Sequence, residues 1–301
     1  TDLTRFHPPE GMEWQTGIAS EIMRFLREPE KPIILALSRA DARKNVSTLV
    51  TAYGEDQALQ EVANLVIVVG NRDDIQDLDA GAQEVLSDLL LHIDRYDLYG
   101  RVAYPKHHAA DDVPLIYRLA AVSGGVFVNP ALTEPFGLTL IEAAASGLPI
   151  VATEDGGPRD IIENCNNGVL IDPLDSEDIA NKLNLILLDW ENWQKRSTEG
   201  LSGVREHYSW EAHARRYLEI VRPIAQKTSE PLVRAPQTRR PMLYYDRAIF
   251  TDLDKNLLGN LDSLPELIRV IRENRKLASF GIATGRRLDS SLKIMKKHGI
   301  P

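Results

Sequence analysis

Residues 125–153 read GVFVNPALTEPFGLTLIEAAASGLPIVAT, and the hydrophobic pattern of this stretch decides the predicted fold. GVFVNP and LPIVAT are short apolar runs without polar alternation, and LTLIEAAASG between them has the length and pattern of a helix. Continuous apolar runs are typical of parallel strands that are covered on both faces. The stretch therefore predicts a strand–helix–strand unit of a parallel sheet.

The same alternation continues on both sides of this stretch. The further predicted strands are PIILAL (32–37), NLVIVVG (64–70), RVAYP (101–105) and GVLIDP (168–173). Helices are predicted over residues 46–53, 81–97, 113–122, 157–164 and 175–190. Repeated strand–helix units predict a doubly wound α/β domain with right-handed crossovers.

Composition divides the chain into two α/β units joined by a linker. We expect the first unit to end near Pro223. Residues 224–241 contain three prolines, scattered charge and no hydrophobic period, and are predicted to form the linker. Residues 242–301 read as strand, helix, strand and helix, the opening of a second α/β unit that is too short to complete a core alone.

Charge and cysteine content exclude several classes of function. The net charge of −9 over 301 residues argues against a nucleic acid as the main partner. Cys165 is the single cysteine, so no intramolecular disulfide is possible and a reducing cytoplasm is expected. No apolar run reaches membrane-spanning length. The first residue is not methionine and the chain ends just after a predicted helix, so we expect a fragment.

Two loops carry the residues that point to anion binding. Arg39 and Lys44 follow the first strand on a loop that leads into a helix, where free N–H groups and positive charge converge. In the opening stretch, the backbone N–H groups of Phe136, Gly137 and Leu138 precede or begin the next helix and are predicted to face an oxyanion. A solvated basic loop is the simpler alternative for Arg39 and Lys44 taken alone.

Two glutamates flank this turn. Glu142 lies one helical turn beyond Leu138, where its carboxylate can accept hydrogen bonds from the vicinal hydroxyls of a ribose. Glu134 precedes the turn and can hold sugar hydroxyls. An exposed loop residue and a helix-surface residue are the alternatives. The intervening Pro-Phe-Gly and the distant Arg39 and Lys44 favour the binding interpretation.

The chain resembles the sucrose-phosphate synthases. The resemblance is carried by LALSRADARKN (35–45), VGNRDDI (69–75), YPKHH (104–108), the opening stretch and GGPRDII (156–162). These enzymes are retaining GT-B glycosyltransferases with two Rossmann-like domains. The resemblance implies that residues 15–223 form the Rossmann-like, nucleotide-sugar-binding domain, and that residues 1–14 form the crossover from an acceptor domain that precedes this sequence.

The resemblance also implies the reaction, which is transfer of glucose from UDP-glucose to fructose 6-phosphate with retention, giving sucrose 6-phosphate and UDP. Its catalytic residues would be Glu134, Arg39 and Lys44. No cofactor is expected for transfer. The residues implied to bind the nucleotide sugar are Arg39, Lys44, Gly70, Val102, Tyr104, Phe136, Gly137, Leu138, Thr139 and Glu142.

Two histidines fall in the stretch VAYPKHH, which the resemblance places beside the uracil. His107 and His108 could ligate a metal, but no carboxylate or cysteine stands near them at ligand spacing. We therefore interpret them as polar loop residues. The choice between UDP and ADP stays open.

The second unit resembles the haloacid-dehalogenase (HAD) type of phosphatase, including sucrose-phosphatase. FTDLDKN places Asp252 and Asp254 after a strand, and ATGRR places Thr284 as a phosphate ligand. In that family the first aspartate attacks phosphorus, the second acts as acid and base, and both help to hold Mg²⁺. Asn256 departs from the usual threonine. We expect an incomplete, inactive HAD-like module.

Three alternatives to this glucosyltransferase remain open. A sucrose synthase-like enzyme would use fructose as acceptor, although the phosphatase-like tail favours a phosphorylated acceptor. A phosphohydrolase active on sucrose 6-phosphate would have its active unit begin at Met242. A regulatory module would bind nucleotide without catalysis. The resemblance also allows for association with a sucrose-phosphate phosphatase.

Overall fold

The structure is a computed structural model that describes residues 1–227, 248–259, 261–274, 277–286 and 288–300. By its contacts the chain divides into two compact units, residues 1–229 and 230–301. Six strands form the sheet of the first unit, and every neighbouring pair is parallel. They are β1 (Ile33–Leu37), β2 (Asn64–Val68), β3 (Val102–Ala103), β4 (Val126–Asn129), β5 (Ile150–Thr153) and β6 (Gly168–Ile171).

The strand order β3-β2-β1-β4-β5-β6 is that of a doubly wound dinucleotide-binding fold. Its helices are α1 (Gly17–Met23), α2 (Val46–Glu55), α3 (Gln57–Val62), α4 (Ala80–Arg95), α5 (Asp112–Val122), α6 (Leu138–Ala145), α7 (Pro158–Cys165), α8 (Ser176–Leu187), α9 (Trp190–Gly203) and α10 (Trp210–Lys227). Among the described residues, no helix is long and apolar enough to cross a membrane.

Two hydrophobic cores cover the two faces of this sheet. Along β1, Ile33 and Leu35 belong to the core with α1, α5, α6 and α7, and Ile34 and Ala36 belong to the core with α2, α4 and α8. Successive strand residues point to opposite faces, so a strand that is buried on both faces must be apolar at every position. This confirms the predicted doubly wound sheet and explains its continuous apolar runs.

The helix predicted over residues 175–190 is confirmed as α8, which occupies all but the last few residues of that stretch. α8 ends at Leu187 and α9 begins at Trp190. The side chain of Asp189 accepts a hydrogen bond from the N–H of Asn192, which makes Asp189 the N-cap of α9. The aspartate therefore separates two helices.

The first unit also extends beyond the predicted boundary at Pro223. α10 continues through Pro223 to Lys227, four residues into the predicted linker 224–241, and the rest of that linker lies outside the described residues. A proline within a helix removes one hydrogen bond and strains the backbone but does not have to end the helix. Helices α1, α3, α9 and α10 were not predicted from the sequence.

The described residues of the second unit form two parallel strands, β7 (Ala248–Thr251) and β8 (Ser279–Ile282), and two helices, α11 (Leu264–Glu273) and α12 (Leu288–His298). Leu253, Leu257, Leu264, Ile268 and Ile300 form its small buried core. The beginning of the predicted strand, residues 242–247, lies outside the described residues.

Cys165 at the end of α7 is expected to be chemically inert in the folded chain. Its side chain is buried, and burial raises the pKa of the thiol to about 12. At a mildly alkaline pH that leaves about 10³-fold less thiolate than an ordinary cysteine has. A thiol reagent should therefore react slowly with the native chain and fast in concentrated urea. Equally fast reaction in both conditions would contradict the burial of Cys165.

Candidate active site

The candidate site lies where the loops that follow β1 and β4 meet. These two strands are neighbours in the sheet, but the chain proceeds from β1 to one side and from β4 to the other. Ligands of open parallel sheets bind beyond the carboxyl ends of the strands at such a switch point. The N–H of Leu132 donates to the carbonyl of Arg43 at 2.9 Å, which ties the two loops together.

Asn45, which sequence reasoning did not single out, anchors the first of these loops. Its backbone is left-handed, with φ of 56°, a conformation that asparagine tolerates better than most residues. Its side-chain amide donates to the carbonyl oxygens of Pro130 at 3.0 Å and Pro173 at 2.7 Å. The loop carrying Arg39 and Lys44 is therefore attached to the ends of β4 and β6.

A cavity of about 450 Å³ opens at this point. It contains most of the site residues predicted from the sequence, drawn from four separate loops. Its lining residues are Leu37, Ser38, Arg39, Lys44, Gly70, His108, Asn129, Glu134, Phe136, Leu138 and Thr139. The predicted residues Arg39, Lys44 and Glu134 thus face one cavity.

Glu134 is held at the wall of this cavity by three donors. Its Oε2 accepts from Lys44 Nζ at 2.7 Å and from Asn129 Nδ2 at 3.2 Å, and its Oε1 accepts from the N–H of Gly137 at 3.2 Å. Burial acts to raise the pKa of Glu134, but these three hydrogen bonds and the Lys44 charge hold it below its usual value. The carboxylate is therefore charged at neutral pH.

This arrangement corrects the prediction that the N–H of Gly137 faces a bound anion. In the structure that N–H donates to Glu134, because the carboxylate stands three residues earlier and reaches back over the start of α6. Leu138 and Thr139 occupy the first turn of α6, where N–H groups have no partner within the helix. The side chains of Phe136 and Leu138 are 80% and 67% exposed.

The turn that carries Glu134 rests directly on the backbone of a second loop. Glu134 pairs with Gly156 in a parallel bridge, and the N–H of Gly157 donates to the carbonyl of Glu134 at 2.9 Å. A Cβ at Gly156 would stand 2.4 Å from that carbonyl oxygen, and a Cβ at Gly157 would stand 2.7 Å from the carbonyl oxygen of Phe136. The sequence signal for this support was the Gly-Gly-Pro of residues 156–158, whose role was not recognised.

Glu142 is not among the residues that line the cavity. It lies on α6, half-buried, one turn beyond Leu138. Its Oε2 accepts a long hydrogen bond of 3.4 Å from the hydroxyl of Tyr117 on α5. Burial raises the pKa of Glu142, and the Tyr117 hydrogen bond and the charge of Arg5 oppose that shift.

The NRDDI and YPKHH loops form one hydrogen-bonded unit. The Asn71 side chain donates to the carbonyl of His108 at 2.9 Å and accepts from its N–H at 2.8 Å. The buried guanidinium of Arg72 donates to the carbonyl oxygens of Tyr104 at 3.1 Å and Pro105 at 3.2 Å. These bonds hold His108 at the wall of the cavity.

Val102 and Tyr104, which were predicted to bind the nucleotide, do not line the cavity with their side chains. The side chain of Val102 is buried in the core on β3, and Tyr104 packs against that core with its ring 4.8 Å from the ring of Phe25. Both side chains therefore point away from the cavity, since a parallel strand buries its apolar residues under the flanking helices. Of the seven residues of VAYPKHH, only His108 lines the cavity.

The two histidines differ in environment. His108 is partly buried, and burial lowers its pKa, so the ring is neutral at neutral pH. The Nε2 of His107 lies 3.3 Å from Asp73 Oδ1 at the surface. Within the described part of the chain, no three histidine, cysteine, aspartate or glutamate side chains are grouped as metal ligands.

In the second unit, Asp252 and Asp254 follow β7 as predicted. Asp252 accepts from the N–H of Leu253 at 2.8 Å. Both carboxylate oxygens of Asp254 accept from the guanidinium of Arg286, and this pairing holds the pKa of Asp254 below its usual value. The Oγ1 of Thr284 accepts from the N–H of Arg286 at 3.3 Å.

Two family profiles match the chain. Residues 19–200 match Glycosyl transferases group 1, and residues 245–301 match Sucrose-6F-phosphate phosphohydrolase. The first match contains the whole cavity, and the second contains Asp252, Asp254 and Arg286.

Curated relatives carry the name sucrose-phosphate synthase. The chain is 58% identical over 204 residues to sucrose-phosphate synthase of Zea mays, which covers 68% of this chain and 19% of that protein. It is 56% identical over 204 residues to sucrose-phosphate synthase 4 of Arabidopsis thaliana, with the same coverage of 68% and 19%. The chain thus spans about a fifth of the length of these relatives.

Solved structures share the fold. Sucrose-phosphate synthase from Thermosynechococcus elongatus superposes with a TM-score of 0.60 at 27% identity, over 75% of this chain and 51% of that one. Anabaena HepE, crystallised with UDP and glucose, superposes with a TM-score of 0.57 at 20% identity, over 76% of this chain and 55% of that one. At that identity the second likeness concerns the fold alone.

Proposed function

The chain belongs to group 1 of the glycosyl transferases, and from that premise we propose that it is the nucleotide-sugar-binding part of a sucrose-phosphate synthase. The reaction is transfer of glucose from UDP-glucose to fructose 6-phosphate with retention, giving sucrose 6-phosphate and UDP. One observation carries the proposal. Lys44 and Glu134 meet at 2.7 Å in a cavity at the switch point of the sheet, so a cation that suits a diphosphate stands beside a carboxylate that suits sugar hydroxyls.

The cationic side of the cavity suits a diphosphate. Arg39 is exposed at the cavity wall, and Lys44 is partly buried beside it. The first turn of α6 adds N–H groups and the positive end of the helix dipole. Because these groups can stabilise the departing diphosphate, we propose that transfer needs no cofactor.

The carboxylates suit the two sugars of the donor. Glu134 is charged and anchored, so it can accept hydrogen bonds from glucosyl hydroxyls without first losing a proton. Glu142, one turn further along α6, is assigned to the ribose hydroxyls. Gly70, with φ of 84° and no side chain, lets the nucleotide approach the backbone beside His108.

Catalysis follows from positioning and charge. The diphosphate gains negative charge as the glucosyl bond breaks, and preformed cations stabilise that charge without reorganisation. A donor phosphate oxygen assists attack by the acceptor on the same face, so the enzyme needs no covalent nucleophile. Glu134 holds the glucosyl group so that the acceptor and the anomeric carbon meet in a productive geometry.

Calorimetric titration of the chain with UDP, ADP and inorganic phosphate tests the binding proposal. We expect saturable UDP binding, and we expect Glu142→Ala to lower the affinity about 10- to 100-fold. This is the usual loss when a hydrogen bond to a charged group is removed. Glu163→Ala, an exposed glutamate on α7, is the matched control and should bind as the wild type does. UDP binding that is unchanged by Glu142→Ala would remove the ribose assignment.

The match of residues 245–301 favours a second candidate, a phosphohydrolase acting on sucrose 6-phosphate. In that reaction Asp252 would attack phosphorus, Asp254 would act as acid and base, and both would help to hold Mg²⁺. As arranged here, the pair does not fit the ion or the acid role, because Arg286 engages both oxygens of Asp254 and lowers its pKa. Magnesium-dependent phosphate release by the full-length protein would establish this activity.

The acceptor and the cellular context are part of the same proposal. Comparing UDP release with fructose 6-phosphate and with fructose distinguishes the proposed enzyme from a sucrose synthase-like one. Release with neither acceptor, together with UDP binding, would indicate a nucleotide-sensing module. We also propose a cytoplasmic location, from the single buried cysteine, and association with a sucrose-phosphate phosphatase.

A further inference from the structure

We propose that Tyr117 on α5 is a positioning residue whose hydroxyl holds the Glu142 carboxylate in the orientation that receives the vicinal hydroxyls of the nucleotide. The inference rests on the proposed function, because it extends the ribose assignment of Glu142. Tyr117 itself does not line the cavity. It acts through Glu142, and its effect should therefore be confined to ligands that carry a ribose.

The ring of Tyr117 is fixed in the core. Its side chain is fully buried, and it packs edge-on against Phe6 at 6.0 Å and Phe127 at 5.5 Å between ring centroids. A ring held on both sides has one position for its hydroxyl, because the oxygen lies on the ring axis. The hydroxyl is therefore a fixed point against which a mobile carboxylate can be oriented.

The hydroxyl has one partner. Among the described residues, Glu142 Oε2 at 3.4 Å is the acceptor for Tyr117, and no other hydrogen bond of this hydroxyl is present. A buried hydroxyl in an apolar core is normally paired, so the hydroxyl depends on this carboxylate. Hydrogen bonds in binding sites are often long without ligand and shorten when the ligand binds.

Glu142 in turn has little else to orient it. In contrast to Glu134, it forms no ion pair among the described residues, and its carboxylate is half-buried. The side chains that act on its charge are Tyr117 on α5 and Arg5 in the segment before α1. A single hydrogen bond on Oε2 leaves Oε1 to accept from the ligand.

Tyr117→Phe tests the inference, since it removes the oxygen and keeps the ring. We expect UDP affinity to fall about 5- to 10-fold. A loss of this size corresponds to one hydrogen bond, here the bond that orients Glu142 rather than one made to the ligand. Inorganic pyrophosphate, which has no ribose, should bind with unchanged affinity. Tyr53→Phe, which loses a buried hydroxyl bonded to the carbonyl of Ala63, is the matched control and should leave UDP affinity unchanged.

The titration of Glu142 provides a readout that a purely structural role would not change. The Tyr117 hydrogen bond favours the charged carboxylate and lowers its pKa, so its loss should raise the pKa. NMR titration of the Glu142 carboxyl should show this rise in Tyr117→Phe. As the solution is acidified, UDP binding by Tyr117→Phe should therefore begin to weaken at a higher pH than UDP binding by the wild type.

A double-mutant cycle separates this inference from the proposed function. With Glu142→Ala already present, Tyr117→Phe should cause no further loss of UDP affinity. If Glu142→Ala weakens UDP and Tyr117→Phe does not, the positioning role is overturned and the ribose assignment stands. If neither change affects UDP, both are overturned. Equal losses for UDP and pyrophosphate would mean that Tyr117 supports only the fold.

Discussion

Replacing Lys44 by alanine is expected to lower the turnover of the full-length protein by about 10²- to 10³-fold, the usual loss for one preorganised stabilising group. Lys44 supplies the partly buried cation of the cavity and lies 2.7 Å from Glu134. Its removal takes away a charge that stabilises the departing diphosphate. It also leaves the Glu134 carboxylate without its cation, so that this charge repels the same diphosphate.

The measurement is the initial rate of UDP release from UDP-glucose with fructose 6-phosphate as acceptor. Arg43→Ala is the matched control, because Arg43 is a neighbouring cation on the same loop but is exposed and paired with Asp41. We expect that variant to keep near-normal turnover. Arg39→Ala should resemble Lys44→Ala. Near-normal turnover in the Lys44 variant would remove the assignment of this cavity to the diphosphate.

Gly156→Ala is expected to disrupt the site from outside the cavity. The new Cβ would stand 2.4 Å from the carbonyl oxygen of Glu134, where backbone must move to make room. Gly156 also has φ of 103°, which an alanine adopts only with strain of about 1–3 kcal/mol. Displacement of the Glu134 backbone would break the contacts of its carboxylate with Lys44 and Gly137.

Two measurements check this prediction. Chemical denaturation should show a loss of about 1–3 kcal/mol or more in the free energy of unfolding, and calorimetry should show weakened binding of UDP. Gly81→Ala on α4 is the control, because the new Cβ meets nothing closer than 3.4 Å and alanine favours a helix. A Gly156→Ala variant as stable and as tightly binding as the wild type would show that the two loops are not in contact.

Much of the fold follows from the order of apolar runs along the chain. The strands β1 to β6 were all predicted, because their residues are mostly buried and so form apolar runs without polar alternation. α9 was missed because its large apolar residues are few, namely Trp190, Trp193 and Leu201. α10 contains more apolar residues, but several of them, including Tyr217 and Ile220, are exposed. Pro223 was taken as the end of the first unit, but α10 continues through it to Lys227. The one backbone hydrogen bond that the proline removes is not enough to end the helix.

The residues of the candidate site were predictable where they follow a strand directly. Arg39, Lys44 and Glu134 stand on loops beyond the carboxyl ends of β1 and β4, and strand order alone brings those ends together. Val102 and Tyr104 were assigned to the ligand by position in a motif. Val102 lies in the core and Tyr104 packs against it, as the apolar strand pattern of RVAYP indicated.

The sequence by itself thus determined the sheet, most of its flanking helices and the polar residues at the edge where a ligand is proposed to bind, because these depend on local periodicity. Only the tertiary structure decided what those residues contact. Glu134 pairs with a lysine 90 positions away and caps its own helix, and Glu142 meets the hydroxyl of a tyrosine 25 positions away on α5. Such contacts depend on how helices and loops pack across the sheet, and packing distances are not encoded in the spacing of residues along the chain.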